Sequence, residues 1–245
     1  RTIVLYMLVG AMQLGIMYLL AFRAYLYLTV SEFLLFTVFT PLYITLIYDL
    51  LSGRKLRWGY LLSAALAVLG AAIIRYDKVS DHFWTGLLLV QLSNLCFAIG
   101  MVGYKRLMEV RPMPQHNAFA WFYVGAFIVA VAAWFMLGNA QKLPTTTLQW
   151  SVLVWLGVVA SGLGYFMWNY GATQVDAGTL GIMNNVHVPA GLLVNLAIWQ
   201  EQPHWPSFIS GALVILASLW VHRRWVAPHS GQTADDRRRG SAQSE

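Results

Sequence analysis

Long apolar stretches dominate this chain and constrain its fold more than any other feature. A helix of some 20 mostly apolar residues spans roughly 30 Å of hydrocarbon. About eight stretches meet that standard, and they cover residues 3–28, 32–50, 58–75, 83–104, 117–138, 149–172, 178–199 and 207–223. The segments between them are short and rich in turn-forming residues, so none of them can hold a soluble domain. The sequence therefore predicts an all-α, polytopic membrane protein.

Composition agrees with a lipid environment. Hydrophobic residues make up 58% of the chain and charged residues 11%, whereas soluble domains contain roughly 45–50% and about 25%. Cys96 is the one cysteine, which excludes disulfide frameworks and cysteine-based metal clusters. The net charge of +6 arises from short loops and the C-terminal segment. We therefore expect the bilayer, and not nucleic acid, as the large partner of this chain.

The distribution of basic residues predicts the orientation, because loops rich in Lys and Arg stay in the cytoplasm. If the C-terminal segment 226–245 is a disordered cytoplasmic tail, 12 of the 16 basic residues lie on its side of the membrane, namely Arg1, Arg54, Lys55, Arg57, Lys105, Arg106, Arg111, Arg223, Arg224, Arg237, Arg238 and Arg239. Arg75, Lys78 and Lys142 lie on the other side, and Arg23 lies within a span. We expect an even number of spans with both ends cytoplasmic.

An internal repeat relates the two parts of the chain at a spacing of 147–148 residues. Gly10, Gly15 and Tyr18 recur as Gly157, Gly162 and Tyr165, and further matches pair spans one to three with spans six to eight. Spans four and five have no partners, so we infer ten helices in a five-plus-five design whose first two helices are absent. An odd number per repeat inverts the second copy, as in many secondary transporters. Residues 1–76 are then the end of the first repeat, and residues 77–225 are the second.

Two prolines predict how deep in the membrane the substrate binds. Pro41 and Pro189 each lie about ten residues into a span, roughly 15 Å from its start at 1.5 Å per residue. A proline frees the carbonyl one turn earlier and kinks the helix, and transporters of this plan bind solute where helices are interrupted. The alternative is a kink that serves only packing.

Polar residues next to Pro189 are the first candidates for solute contacts. Asn184, Asn185 and His187 are costly in hydrocarbon unless they face a cavity or one another. Asn184 and His187 share a helix face, since they are three residues apart. Hydrogen bonding between helices is the alternative role.

A second set of candidates lies in the fourth and later spans. Gln91 and Asn94 are three apart near the middle of their span and predict a second pair of amides, with helix contacts as the alternative. Aromatic side chains suit the walls of a site for a flat organic solute. The candidates are Trp121 and Tyr170, together with Tyr123 and Trp168.

Charged residues inside the spans are scarce. Arg23 lies toward the outer end of its span, where its planar guanidinium could receive a carboxylate or extend to the lipid headgroups. Glu32 opens the next span on the same side, and it could pair with Arg23. Proton coupling would need a titratable group, for which Glu32 and His187 are the candidates.

Motifs typical of enzymes are missing from the sequence. It has no serine protease motif, no zinc-binding helix signature and no phosphate-cradling loop. We therefore predict neither an enzyme nor a metal or cofactor site. A channel built from rings of carbonyls or charges has no support either. No nucleotide-binding domain is present, although the chain could be the membrane subunit of a pump.

The short loops, the inferred inverted repeat and the prolines in equivalent helices resemble the EamA-type drug/metabolite transporter superfamily. The matching stretches are 166–179 (FMWNYGATQVDAGT) and 190–193 (AGLL), and also 102–108 (VGYKRLM) and 184–189 (NNVHVP). The resemblance implies a carrier in the bacterial inner membrane that imports biotin without ATP. The resemblance does not decide whether the carrier is a monomer or a homodimer.

The function expected from all of this is transport of a small organic solute by alternating access. Uptake of biotin is the function that the resemblance implies. Export of amino acids or other metabolites is one alternative. A membrane subunit that transports nothing by itself is the other.

Overall fold

The computed structural model describes residues 1–28, 30–53, 83–199 and 205–221, with single positions at 58, 62, 65, 66, 69 and 224. The regular structure of these ranges is helical throughout. We number the helices α1 (Thr2–Ala24), α2 (Val30–Thr37), α3 (Thr40–Leu51), α4 (Phe83–Val110), α5 (Gln115–Leu137), α6 (Thr147–Ala172), α7 (Ala177–Asn184), α8 (His187–Trp199) and α9 (Trp205–Val221).

Four helices among the described residues are long and apolar enough to cross a membrane: α1, α5, α6 and the segment Trp84–Val110 of α4. Thr40–Leu51 and Ala212–Val221 are shorter apolar helices. The prediction of an all-α polytopic membrane fold is confirmed. Most of the predicted span 58–75 lies outside the described residues.

Two predicted spans are each divided into a pair of helices. The span 32–50 is α2 and α3, with a turn at residues 38 and 39, and the span 178–199 is α7 and α8, with a turn at 185 and 186. The helices α2 and α7 begin at Val30 and Ala177, and α3 and α8 begin at Thr40 and His187. Each pair of starts differs by 147 residues, which is the spacing of the matched residues in the sequence.

Two helices contain a π-helical segment, in which the hydrogen bonds join residues five apart. In α1 the segment is Ala11–Ile16, and in α6 it is Trp155–Gly164. Moved by 147 positions, the first segment falls inside the second. The helices therefore follow the repeat in their irregular segments as well, while the boundaries of the repeats stay a prediction.

The chain forms two compact units, and each contains two separate stretches of sequence. Unit one contains Arg1–Arg23 and Leu92–Val175, and unit two contains Ala24–Gln91 and Asp176–Glu245. An aromatic cluster forms the core of unit one, with Tyr6, Tyr104, Phe119 and Phe122 buried. Smaller clusters stabilise unit two, one of them built on Val38, Ile182 and Ile215, and another on Ala24, Leu28, Phe36 and Val90.

Glycines bring α1 and α5 into close backbone contact in unit one. A Cβ atom added at Gly10 would overlap the carbonyl group of Phe122, and one added at Gly125 would overlap that of Met7. Small residues that let helix backbones approach are typical of packing in membranes. The contact is reciprocal, since each helix presents a glycine to the backbone of the other.

Many large apolar side chains on α6 are exposed. They include Leu148, Trp150, Val154, Trp155, Val158 and Met167. A soluble domain rarely leaves so large a contiguous apolar surface in water. The surface fits contact with lipid, where an apolar side chain has no cost and every backbone group is already bonded within the helix.

Candidate functional site

A cavity of about 630 Å³ lies within unit one, between α1, α5 and α6. Its walls are mostly aliphatic and aromatic, and the polar side-chain groups in it are three hydroxyls and the indole N–H of Trp134. The residues that line it are Leu14, Gly15, Tyr18, Leu19, Phe22, Tyr123, Ala126, Phe127, Ala130, Ala133, Trp134, Leu137, Gly138, Gly157 and Ser161. Apolar walls with a few directed polar groups are typical of sites for small organic molecules.

The hydroxyls gather where the π-helical segment of α6 faces α1 and α5. The hydroxyl of Tyr123 donates to the backbone carbonyls of Ser161 and Gly162. The hydroxyl of Tyr18 lies 3.4 Å from Oγ of Ser161, and its ring packs 6.1 Å from that of Tyr165. Carbonyls of a π-helical segment are thus satisfied by side chains from a neighbouring helix, which holds the irregular backbone in place.

One end of unit one is held closed by hydrogen bonds between helices; we call it the closed end. The hydroxyl of Tyr104 donates to Oε1 of Gln115 at 2.7 Å, and Nε2 of Gln115 donates to Oγ1 of Thr173 at 3.2 Å. Nζ of Lys105 donates to the carbonyl of Val175 at 2.7 Å. These bonds join the end of α4 to the start of α5 and to the residues that follow α6.

The cavity lies toward the opposite end of unit one. Its lining includes the second half of α5, where Phe127 and Trp134 are 68% and 49% exposed. Gly138, which follows α5, and Gly157, in the first half of α6, also belong to the lining. The cavity therefore lies away from the end that carries Lys105 and extends to Gly138.

Unit two contains a crossing of the two interrupted helices. Nδ2 of Asn185, in the turn between α7 and α8, donates to the carbonyl of Val38 at 3.0 Å. A Cβ atom added at Gly181 would lie 3.2 Å from the carbonyl oxygen of Pro41, so α7 packs closely on α3. Asn185 is fully buried, and its Oδ1 has no hydrogen-bond partner among the described residues.

Side chains also satisfy the carbonyls that the break before Pro41 leaves without helical partners. Nε2 of Gln91 donates to the carbonyl of Phe36 at 3.0 Å, and Oε1 of Gln91 accepts from the hydroxyl of Tyr43 at 2.9 Å. Oγ1 of Thr40 donates to the carbonyl of Thr37 at 2.7 Å, the carbonyl that Pro41 cannot bond. The side-chain amides of Gln91 and Asn185 thus donate hydrogen bonds to carbonyls at the break between α2 and α3. Hydrogen bonding between helices is the alternative role that the sequence offers for such residues.

The other predicted contacts lie at separate places. Asn184 and Asn94 are buried, whereas Trp121, Tyr170 and Arg23 are exposed. Pro189 lies in α8 and is half-buried, as is Gln91 in α4. Glu32 and His187 lie in α2 and α8, and their side chains lie outside the described part of the structure. None of these predicted contacts belongs to the described lining of the cavity.

The sequence points to only some of the residues that line the cavity. It predicts Tyr123 as an aromatic wall and matches Tyr18 and Gly15 in the repeat, but no sequence pattern singles out Ser161. The repeat was the available signal, since Gly15 and Gly157 are both matched glycines and both line the cavity. Within the described ranges, no group of three or more His, Cys, Asp or Glu residues is placed to hold a metal ion.

Comparisons with known proteins agree on one family. The sequence profile of the EamA-like transporter family matches residues 84–223. The biotin transporter of Escherichia coli (strain K12) is 82% identical over 245 residues, which is all of this chain and 82% of that protein. The probable biotin transporter of Pseudomonas aeruginosa is 53% identical over 219 residues, covering 89% of this chain and 76% of that one.

A solved crystal structure shares the fold. It superposes with a TM-score of 0.72 and covers 88% of this chain and 74% of the solved one. The two sequences are 18% identical, so the likeness concerns the fold alone.

Proposed function

Because the chain belongs to the EamA-like transporter family, we propose that it imports biotin across the bacterial inner membrane by alternating access. The observation that supports transport is the cavity in unit one, which lies away from an end that hydrogen bonds hold closed. The choice of biotin as the solute rests on the relatives that are named as biotin transporters. The chain acts as a carrier in this proposal, and it catalyses no reaction.

The cavity suits the body of such a solute. Biotin combines an apolar bicycle and an aliphatic chain with a ureido group and a carboxylate. A volume of about 630 Å³ lies within the usual range for small-molecule sites, and its walls of Leu14, Phe127 and Trp134 match the apolar parts. The hydroxyls of Tyr18 and Ser161 offer polar contacts at one place on those walls.

The basic residues indicate which end of unit one faces the cytoplasm. Lys105, Arg106 and Arg111 lie at or beside the closed end, and positively charged segments stay in the cytoplasm. If the closed end is cytoplasmic, the cavity lies toward the outer side of the membrane, where an importer loads its solute. Arg1, which precedes α1, then lies on the cytoplasmic side, as the sequence predicts.

Release into the cell would require the closed end to separate. The bonds of Tyr104, Lys105 and Gln115 would then exchange their partners for water. A neutral hydrogen bond contributes about 0.5–1.5 kcal/mol net and one to a charged group about 1.5–3 kcal/mol. Separating three of them costs a few kcal/mol, which is the scale of equilibria between two conformations of one protein.

The polar residues beside Pro189 remain proposed contacts. Asn184 is buried in unit two, and His187 begins α8. We expect Asn184→Ala or His187→Ala to reduce uptake while the protein still inserts into the membrane. Normal uptake by both variants would remove this cluster from the solute path.

The test is uptake of labelled biotin by cells that lack any other biotin carrier. Saturable uptake that exceeds an empty vector, and that excess unlabelled biotin suppresses, is the expected result. If the protein is inserted and no uptake occurs, biotin import is wrong. Release of preloaded amino acids by the same cells would then favour export.

A further inference from the structure

One glutamine in unit one is buried and has no hydrogen-bond partner for its side chain among the described residues. Gln13 lies in the π-helical segment of α1 and is fully buried. Both Nε2 and Oε1 lack a hydrogen-bond partner among the described residues. Its backbone and Cβ pack directly on α4, where a Cβ atom added at Gly100 would overlap them. In the part of the chain that the structure describes, a full carboxamide is therefore buried without any of its possible hydrogen bonds.

An unpaired amide in such a place is unfavourable for the fold alone. A buried polar group without a partner loses its bonds to water, while an apolar side chain of similar shape would lose nothing. π-helical segments also occur frequently at functional sites. Both facts point to a ligand that Gln13 meets during the transport cycle.

A second buried polar atom of unit one also lacks a hydrogen-bond partner within the described ranges. Oδ1 of Asn169 in α6 is buried without a partner among the described residues, while its Nδ2 donates to the backbone one turn earlier. The neighbouring Trp168 donates from Nε1 to Sδ of Met101 at 2.9 Å. Met101 follows Gly100, the residue that contacts Gln13, so Gln13 and the neighbour of Asn169 contact consecutive residues of α4.

We propose that Gln13 and Asn169 bind the ureido ring of the solute, an inference that rests on the proposed function. A cyclic urea presents one carbonyl acceptor and two N–H donors. The unpaired atoms of these two residues are one donor group, Gln13 Nε2, and two acceptors, Gln13 Oε1 and Asn169 Oδ1. The carboxamide of Gln13 pairs with the carbonyl and one N–H of the urea, and Asn169 accepts from the other N–H.

The solute reaches Gln13 from the cavity through a change in the π-helical segment. Leu14 and Gly15, the next two residues, line the cavity, whereas Gln13 faces α4. A π-helical segment that relaxes to an α-helix shifts its register by one residue, which is about 100° of rotation at 3.6 residues per turn. That rotation moves Gln13 toward the place of Leu14. The apolar body of the solute occupies the existing cavity as the ring binds.

The experiment compares the wild type with Gln13→Leu and Asn169→Leu in uptake of labelled biotin. Desthiobiotin, which keeps the ureido ring, and lipoate, which has an apolar ring on a similar carboxylate chain but no ureido group, serve as competitors. A site that hydrogen-bonds its solute discriminates strongly against an analogue that lacks those groups. We expect desthiobiotin and not lipoate to compete in the wild type, and the KM for biotin to rise about tenfold or more in both variants.

Selectivity and stability separate this role from a structural one. In Gln13→Leu the preference for desthiobiotin over lipoate should fall by about tenfold or more, while the melting temperature of the purified protein stays equal or rises. Met17→Leu is the matched control, because Met17 is buried one turn further along α1 and contributes no amide. It should leave both the KM and the selectivity unchanged.

The two proposals fail in different ways. If the wild type takes up no biotin, the proposed function is wrong and this inference falls with it. If the wild type transports biotin and Gln13→Leu keeps the wild-type KM and selectivity, the ureido site at Gln13 alone is wrong. A Gln13→Leu protein that melts at a lower temperature and loses uptake of all solutes equally would also overturn it.

Discussion

The side chain of Asn185 donates its hydrogen bond to the carbonyl of Val38, the residue that lies 147 positions before it. This separation is the spacing of the internal repeat, so the two interrupted helices meet at equivalent points of their breaks. The break in one helix exposes a carbonyl, and the break in the other supplies the amide that satisfies it. Two irregular backbones in the membrane thus stabilise each other where neither can do so alone.

Replacing Asn185 with Ala should destabilise the protein. The carbonyl of Val38 would stay buried without this donor, which costs about 1–3 kcal/mol. For a chain of this length, each kcal/mol lowers the melting temperature by about 2–4 °C. Thermal melting of the purified protein in detergent measures the change.

Met183→Ala is the control for this variant, because Met183 lies in α7 with 38% of its surface exposed. It removes a larger side chain, yet it should shift the melting temperature less. An Asn185→Ala protein as stable as the wild type would show that the bond to Val38 contributes nothing to the crossing.

Gly125→Ala should disturb the contact between α1 and α5. The added methyl group would overlap the carbonyl of Met7, and a backbone atom cannot turn aside as a flexible side chain can. Overpacking of this kind costs about 1–3 kcal/mol. We expect a lower melting temperature and less protein in the membrane, as measured by fluorescence of a C-terminal fusion.

Gly171→Ala is the matched control, since a Cβ atom at Gly171 would meet nothing within 4 Å. It lies inside α6, where alanine is favoured over glycine by about 0.5–1 kcal/mol. The two substitutions are chemically identical and should shift stability in opposite directions. Equal shifts would refute the close approach of α1 and α5.

The sequence predicts the helical fold well, because the thickness of the bilayer alone sets the length of the apolar stretches that must cross it. The turns at 38–39 and 185–186 come a few residues before Pro41 and Pro189, the two prolines at which the sequence predicts kinks. The π-helical segments are different. Their residues are as apolar as those of regular helices, and the register change depends on partners such as Tyr123, which lies far away in the sequence.

The polar residues of the candidate site show a similar limit. Gln91 and Gln13 are both amides within apolar spans, and their sequence contexts do not separate them. The structure does, because Tyr43 and the carbonyl of Phe36 satisfy Gln91, while Gln13 packs on Gly100 and has no hydrogen-bond partner among the described residues. Which amide is available to a solute depends on the packing of distant helices, and a single sequence does not contain that information.

A cysteine placed in the cavity should react from outside the cell. Ala130 lines the cavity, and His116 is exposed near the closed end. In a Cys96→Ala background, we expect a membrane-impermeant maleimide to label Ala130→Cys in intact cells. It should label His116→Cys only after the cells are permeabilised, because that end is cytoplasmic in the proposed orientation.

Excess biotin should slow the labelling of Ala130→Cys if the solute occupies the cavity. The Cys96→Ala protein without a new cysteine gives the background of the assay. Labelling of His116→Cys in intact cells, with Ala130→Cys protected until permeabilisation, would reverse the orientation and favour an exporter over an importer.

Filling the cavity should stop transport without unfolding the protein. Ala133 lines the cavity from α5, whereas its neighbour Ala132 is exposed and does not belong to the described lining. An indole at position 133 occupies space that the solute needs, so Ala133→Trp should reduce biotin uptake by about tenfold or more, the effect of losing 1.4 kcal/mol of binding. Ala132→Trp adds the same group toward the surroundings of the protein and should transport normally. Both variants should melt within a few degrees of the wild type. If Ala133→Trp retains normal uptake, the solute travels by a path that does not include this cavity.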